Sequence, residues 1–133
     1  MIVCKGEYEC YRATYTDGRH QGYVDTSIEN GGGESAFRAH ALLEASVAAC
    51  INIWIRMYAT HHGIPLSRVV ATVELDTESK EAEAVFRYGV ELQGALDDAQ
   101  RNKLLQISRT CPVRQTLSKN IIFAPMHSQD LLA

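Results

Sequence analysis

The sequence predicts an α+β fold, and three observations carry that prediction. They are an early hairpin rich in tyrosine and threonine, one long helix that is apolar nearly all round, and a second pair of alternating strands followed by an amphipathic helix. The order of two strands, helix, two strands, helices and a strand describes a compact unit in which helices and antiparallel strands share a core. A chain of 133 residues suits one domain, 1–133, able to bury roughly 65 to 70% of its unfolded surface. The sequence contains no internal repeat, linker or second domain.

Residues Glu7 to Thr16 predict the first strand, and Asp17-Gly18 supplies the left-handed backbone of a tight hairpin turn. A second strand, about Gln21 to Ser27, pairs back. The stretch Glu29-Asn30-Gly31-Gly32-Gly33-Glu34 loses too much backbone entropy on ordering to hold regular structure cheaply. It is read as a loop that feeds a helix, with Ser35 as N-cap. That helix runs from Ala36 to about His61, and its polar residues Glu44, Asn52 and Arg56 share one stripe with Ala48. Such a helix is central rather than superficial. His61-His62-Gly63 followed by Pro65 stops it.

Val69, Ala71, Val73 and Leu75 alternate with more polar neighbours, as do Ala84, Phe86, Tyr88, Val90 and Leu92. They predict a second hairpin through the loop Asp76 to Glu81. Beyond Gly94, Asp97 and Asp98 suit a helix N-terminus, and Leu96, Ala99, Leu104 and Ile107 provide one apolar face. Pro112 disfavours helix at Cys111 but opens the next helix well, so Cys111 is expected at the N-cap of a helix from Pro112 to about Lys119. Asn120 closes that turn. Ile121-Ile122-Phe123 predicts a last short strand before a loose tail.

Composition excludes several function classes. The net charge of −3 is spread along the chain, without the basic stripe that a phosphate backbone requires. Nucleic acid is therefore not expected as a partner. The segment Met1 to Glu7 lacks a basic region followed by an apolar run, so the expectation is a cytoplasmic protein with reduced thiols. Glu44, Asn52 and Arg56 interrupt the longest apolar stretch, which argues against a membrane span. There is no Cys-x-x-Cys or His-x-x-x-His, and His61-His62 are adjacent and diverge on a helix, so no metal is expected. Gly31-Gly32-Gly33 lacks the lysine and spacing of a phosphate cradle, so no nucleotide or other cofactor is expected either.

The remaining chemistry lies in the thiols. A thiol reacts as thiolate, which needs nearby positive charge, a helix N-terminus or a base. Cys111 has the helix N-terminus by position, whereas Cys50 lies mid-helix and needs a cation supplied by tertiary structure. Sequence alone thus nominates Cys111 as the more acidic thiol. Composition alone reads Cys50, in Ala48-Ala49-Cys50-Ile51, as a small core residue, and leaves Cys111 open between a simple cap and a reactive group. Cys4 and Cys10 read as structural.

The segment Leu42-Leu43-Glu44-Ala45-Ser46-Val47-Ala48-Ala49-Cys50, paired with Cys111-Pro112-Val113-Arg114-Gln115-Thr116-Leu117-Ser118-Lys119-Asn120, resembles the OsmC/Ohr family of thiol peroxidases. The likeness spans about Glu7 to Phe123. It implies an OsmC-like fold with antiparallel strands around a long central helix, in an intertwined homodimer with active sites at the subunit interface. It also implies reduction of organic hydroperoxides: the thiolate matching Cys50 becomes a sulfenic acid, the thiol matching Cys111 captures it as a disulfide, and an external dithiol restores the pair. An arginine in the early hairpin activates the helical cysteine in this family, and Asp17-Gly18-Arg19-His20 resembles that loop, making Arg19 the candidate, with Arg12 and Arg38 as substitutes. Family members carry an Asn-Pro-Glu segment with a carboxylate ten residues before the helical cysteine; here His40 holds that position. Glu44, one turn on and about 6 Å along the axis, is the nearest carboxylate, so the role falls to Glu44 or His40. Two other readings stand beside this one: a divergent member acting on other sulfur or disulfide species, and a non-catalytic small-molecule-binding dimer.

Overall fold

In the computed structural model, which describes residues 1–127, three short strands form an antiparallel arm: β1 (Val3–Gly6), β2 (Ala13–Thr16) and β3 (Gln21–Val24), in the order β1-β2-β3. A single turn of 3-10 helix, Ile28–Asn30, leads to the long helix α1 (Ala39–His61). A two-stranded sheet follows, β4 (Leu66–Asp76) against β5 (Val85–Gly94), and then helices α2 (Asp98–Ser108) and α3 (Pro112–Leu117). The predicted α+β class and the antiparallel pairing of all strands are thus observed.

The first hairpin is shorter than predicted, and β1 pairs on its outer side. Thr16 opposes Gln21, leaving a four-residue loop in which Gly18 takes φ 93° and the Asp17 carboxylate accepts from the Arg19 and His20 amides. Side-chain capping by Asp17 stabilises this wider turn. The following loop is organised by Asp25, whose carboxylate accepts from Thr26 N, Gly33 N, Ser35 N and Ser35 Oγ. Ser35 is therefore spent on the loop and does not cap α1. The helix starts three residues later than predicted, at Ala39, with Arg38 at the N-cap position and no side-chain cap.

The Glu44, Ala48, Asn52, Arg56 stripe faces β4. Glu44 Oε1 accepts from Leu75 N at 2.8 Å, Asn52 Nδ2 donates to Val69 O at 2.9 Å, and Arg56 donates to the carbonyls of Leu66 and Ser67 at 2.6 and 2.9 Å. Three polar side chains spaced along one helix thus satisfy main-chain groups that β5 does not pair. The neighbouring stripe, Val47, Ile51, Ile55 and Ala59, forms the core with Leu66, Val69, Leu92, Leu104 and Cys111. Helix α1 is long and apolar enough to cross a membrane, but it supplies Val47, Ile51, Ile55 and Ala59 to this core and its polar stripe is bonded to β4. Gly63, at φ 61°, ends it as expected.

Asp97 caps α2 through a reciprocal pair with Gln100, and Cys111 precedes Pro112 at the start of α3, both as predicted. The predicted final strand is not formed: Ile121-Ile122-Phe123 is irregular and exposed, Ile122 at 78% and Phe123 at 95%. Among the described residues no strand edge pairs with it, and unpaired residues of high β propensity stay irregular. Helix α3 ends at Leu117, two residues before the predicted limit. Of the predicted loose tail, residues 128–133 lie outside the described residues.

The arm stands apart from this core. It is linked to it through the Val24–Phe37 bridge, and its strands make no extensive contact with the helices or with β4 and β5 among the described residues.

Candidate active site

The chain fold brings Cys50 and Cys111 together although they lie 61 positions apart. Cys50 is half-buried on α1, and one turn further along the same face Trp54 Nε1 donates to Thr110 Oγ1 at 3.0 Å. That bond pins the residue before Cys111 against α1. Pro112 forces the chain to turn into α3 at this point, with Cys111 at φ −62° and ψ 139°. The first turn of α3 then faces α1, and Val113 N donates to Cys50 Sγ at 3.4 Å. A backbone N–H that a helix leaves unpaired in its first turn is thereby used on a sulfur.

Cys111 is wholly buried, at 0% exposure, and both cysteines are free thiols. Burial pushes the Cys111 pKa up, and the adjacent Cys50 thiol pushes it further in the same direction; the Arg114 amide and guanidinium pull it partly back. The expectation that the N-cap position makes Cys111 an acidic thiol is therefore corrected: desolvation outweighs it, and the thiol closes no capping hydrogen bond. Position at a helix start is visible in a sequence, whereas complete burial is not.

Of the other candidate residues, Arg19 lies in the exposed β2–β3 turn, where its amide donates to Asp17 Oδ1 at 2.8 Å. Arg12 is bound to Glu7 at 3.1 Å and Ser35 at 3.1 Å and stacks over Tyr23, while Arg38 sits at the start of α1. Glu44 is bonded to β4 as described, and exposed His40 makes no side-chain hydrogen bond among the described residues. Both line a polar groove of about 760 Å³ at the start of α1, with Asp25, Arg38, Asp76 and Arg87. The structure unites the two cysteines, and Arg19 remains on the arm.

Sequence reasoning does not single out Val113, Arg114 or Tyr88. An apolar groove of about 770 Å³ is lined by Val47, Ile51, Phe86, Tyr88, Arg114 and Phe123 among others. Arg114 Nη1 donates to Tyr88 Oη at 2.7 Å, and the guanidinium lies 5.1 Å from the Tyr88 ring centroid. The available signal was a basic residue three positions after a cysteine at a Pro-started helix. The tyrosine partner, on a different hairpin, leaves none. Cys4 and Cys10 are exposed on the arm. No group of histidine, cysteine and acidic side chains with metal-site geometry occurs among the described residues.

A sequence profile described as OsmC-like protein matches residues 31–124, which contain both cysteines. No curated protein matches the sequence. Among solved structures, an OsmC-like protein from Mycoplasma pneumoniae superposes with a TM-score of 0.71 at 17% identity, covering 88% of this chain and 85% of that one. The organic hydroperoxide resistance protein OsmC from Legionella pneumophila gives 0.62 at 24% identity over 90% of each chain. The organic hydroperoxide resistance protein OhrB of Bacillus subtilis gives 0.61 at 16% over 90% of each. These likenesses are of fold. With its profile match over most of its length, the chain belongs to the OsmC-like protein family.

Proposed function

We propose that the protein is a cysteine-based thiol peroxidase that reduces organic hydroperoxides to alcohols. The observation that carries this reading is the meeting of Cys50 and Cys111 at the start of α3, with the Val113 amide on Cys50 Sγ at 3.4 Å. The Cys50 thiolate attacks the outer peroxide oxygen and the O–O bond breaks. The alkoxide takes a proton and leaves as alcohol, and Cys50 becomes a sulfenic acid. The Cys111 sulfur then attacks Cys50, forming the disulfide and releasing the hydroxyl as water. An external dithiol reduces the disulfide, in a cytoplasmic setting that keeps thiols reduced. The names of the structural neighbours from Legionella pneumophila and Bacillus subtilis, organic hydroperoxide resistance proteins, support the substrate class.

The cation falls to Arg19, delivered in an intertwined homodimer. Two features support that assembly. The arm packs little against its own core, and α1 leaves Leu43, Ile53 and Met57 as an exposed apolar stripe, Ile53 at 59%. Exposed apolar area of this kind marks an interaction surface. An arm laid on a second copy carries the Arg19 turn to that copy's thiols, where a guanidinium stabilises both the thiolate and the departing oxygen. His40 is the free side chain for the carboxylate position, since Glu44 is engaged by Leu75.

That same engagement favours a second reading, in which the protein reduces another sulfur or disulfide species. Stopped-flow consumption of cumene hydroperoxide separates the two. The peroxidase reading predicts a fast phase in the wild type that Cys50→Ser abolishes. Equal consumption in Cys50→Ser, or faster turnover of a disulfide substrate than of the peroxide, overturns it.

A further inference from the structure

Capture of an oxidised Cys50 depends on where Cys111 is held, and Cys111 sits in a short connection between α2 and α3. Helix α3 has six residues, too few to be stable by its own hydrogen bonds. Pro112 sets the local backbone at this bend but not the place of the bend relative to α1. Two hydrogen bonds to α1 bracket Cys111. Before it, Trp54 Nε1 donates to Thr110 Oγ1 at 3.0 Å; after it, Val113 N donates to Cys50 Sγ at 3.4 Å. Cys50 and Trp54 are four positions apart on α1 and so share one face. Thr110 is fixed at two further points. Its hydroxyl donates to Ile107 O at 2.9 Å in the last turn of α2, and its carbonyl accepts from Gln115 Nε2 at 3.2 Å in α3. Trp54 is half-buried against the core, so the indole is already held when it donates. One residue, next to the buried thiol, thus ties three helices together.

We propose that Trp54 and Thr110 are positioning residues for the capture step, their indole–hydroxyl hydrogen bond clamping the α2–α3 connection on α1 so that Cys111 is held where its sulfur attacks the oxidised Cys50. The inference rests on the peroxidase reading for its role in catalysis. In that step the Cys111 thiol gives up its proton, its sulfur bonds to Cys50 sulfur, and the S–O bond of the sulfenic acid breaks; hydroxide departs and leaves as water. The oxidant is the organic hydroperoxide of the preceding step. An attack between two tethered groups is sensitive to their placement, since a misplacement of about 1 Å can slow a step by about a hundredfold. Loosening one of the two brackets while Val113 keeps the other is therefore assigned a smaller effect, roughly tenfold.

Two measurements test it, the first without any peroxide. In a Cys4→Ser, Cys10→Ser background, Cys50 and Cys111 are the remaining thiols, and equilibration with reduced and oxidised glutathione gives the effective concentration of one for the other. Thr110→Val and Trp54→Phe each lower it roughly tenfold, and Thr110→Ser, which keeps the hydroxyl, brings it back. The double variant falls no further than either single one, because both remove the same bond. Asp97→Ala weakens α2 from its other end and leaves the value unchanged. An unchanged or raised value in Thr110→Val and Trp54→Phe overturns the proposal, as does an equal fall in Asp97→Ala, which would report general loosening. The second measurement follows cumene hydroperoxide with acid quench. Thr110→Val forms dimedone-trapped sulfenic acid at the wild-type rate, then closes the disulfide roughly tenfold more slowly. Equal slowing of both steps overturns the assignment to capture. Absence of any sulfenic acid at Cys50 in the wild type defeats the peroxidase reading instead, and the glutathione equilibrium still decides whether the clamp positions Cys111.

Discussion

Glu44 offers a sharp separation between a structural and a catalytic carboxylate. Its Oε1 accepts from Leu75 N at 2.8 Å, and both residues are half-buried. Glu44→Ala leaves that amide without its acceptor, at a cost of about 1–3 kcal/mol. Glu44→Gln keeps an oxygen in place and exchanges a charge-assisted bond for a neutral one, at a cost of about 1 kcal/mol or less. An unfolding entropy of about 2.1 cal/mol/K per residue gives about 0.28 kcal/mol/K for 133 residues. The alanine variant is therefore expected to melt about 4 to 11 °C below wild type, and the glutamine variant within about 4 °C of it. Differential scanning calorimetry supplies both values. Iodoacetamide alkylation of Cys50, mapped by mass spectrometry, supplies the other half. Glu44→Gln should react at a rate within roughly twofold of wild type, because the interaction lost is with the strand. A tenfold loss of Cys50 reactivity with an unchanged melting point would refute this reasoning and make Glu44 the carboxylate that serves the thiol.

Ile51→Ala empties a fully buried site in the core and should cost about 2–5 kcal/mol; a lower denaturation midpoint at constant slope in urea checks it. Asp25, held at about 2 by Ser35 and by the Thr26 and Gly33 amides, stabilises the fold above its ordinary value of 3.8. That contribution is lost as pH falls from 3.8 toward 2, so Asp25→Asn should flatten the acid limb of stability measured by circular dichroism, with Asp17 and Asp76 accounting for what remains. Ile53→Glu puts a charge on the exposed stripe of α1, and sedimentation velocity should find the wild type dimeric and this variant shifted to monomer. A dimer of undiminished affinity in Ile53→Glu would remove that stripe from the interface.

What the sequence made legible follows from periodicity. The spacing of Glu44, Ala48, Asn52 and Arg56 identifies one face of α1, and the structure puts that face against β4. The second hairpin, the Asp97 cap and the turn into α3 at Cys111 are equally local, set by alternation, a capping side chain and a proline. What escaped is non-local. Ser35 has the chemistry of an N-cap, but Asp25, ten residues back, claims it. Ile121 to Phe123 has the composition of a strand without an edge to join among the described residues. The meeting of Cys50 and Cys111 was implied by family resemblance and by nothing in the spacing itself. That burial raises the Cys111 pKa escaped because a helix position does not reveal burial.

The central claim is that Cys50 is oxidised by a hydroperoxide and captured by Cys111. Its most direct measurement is peptide mapping of the wild type after one equivalent of cumene hydroperoxide, with free thiols blocked before digestion. The account predicts a Cys50–Cys111 cross-linked peptide as the principal product, lost on treatment with a dithiol. Recovery of both cysteines as alkylated thiols, or a disulfide that joins Cys4 or Cys10 instead, would contradict it.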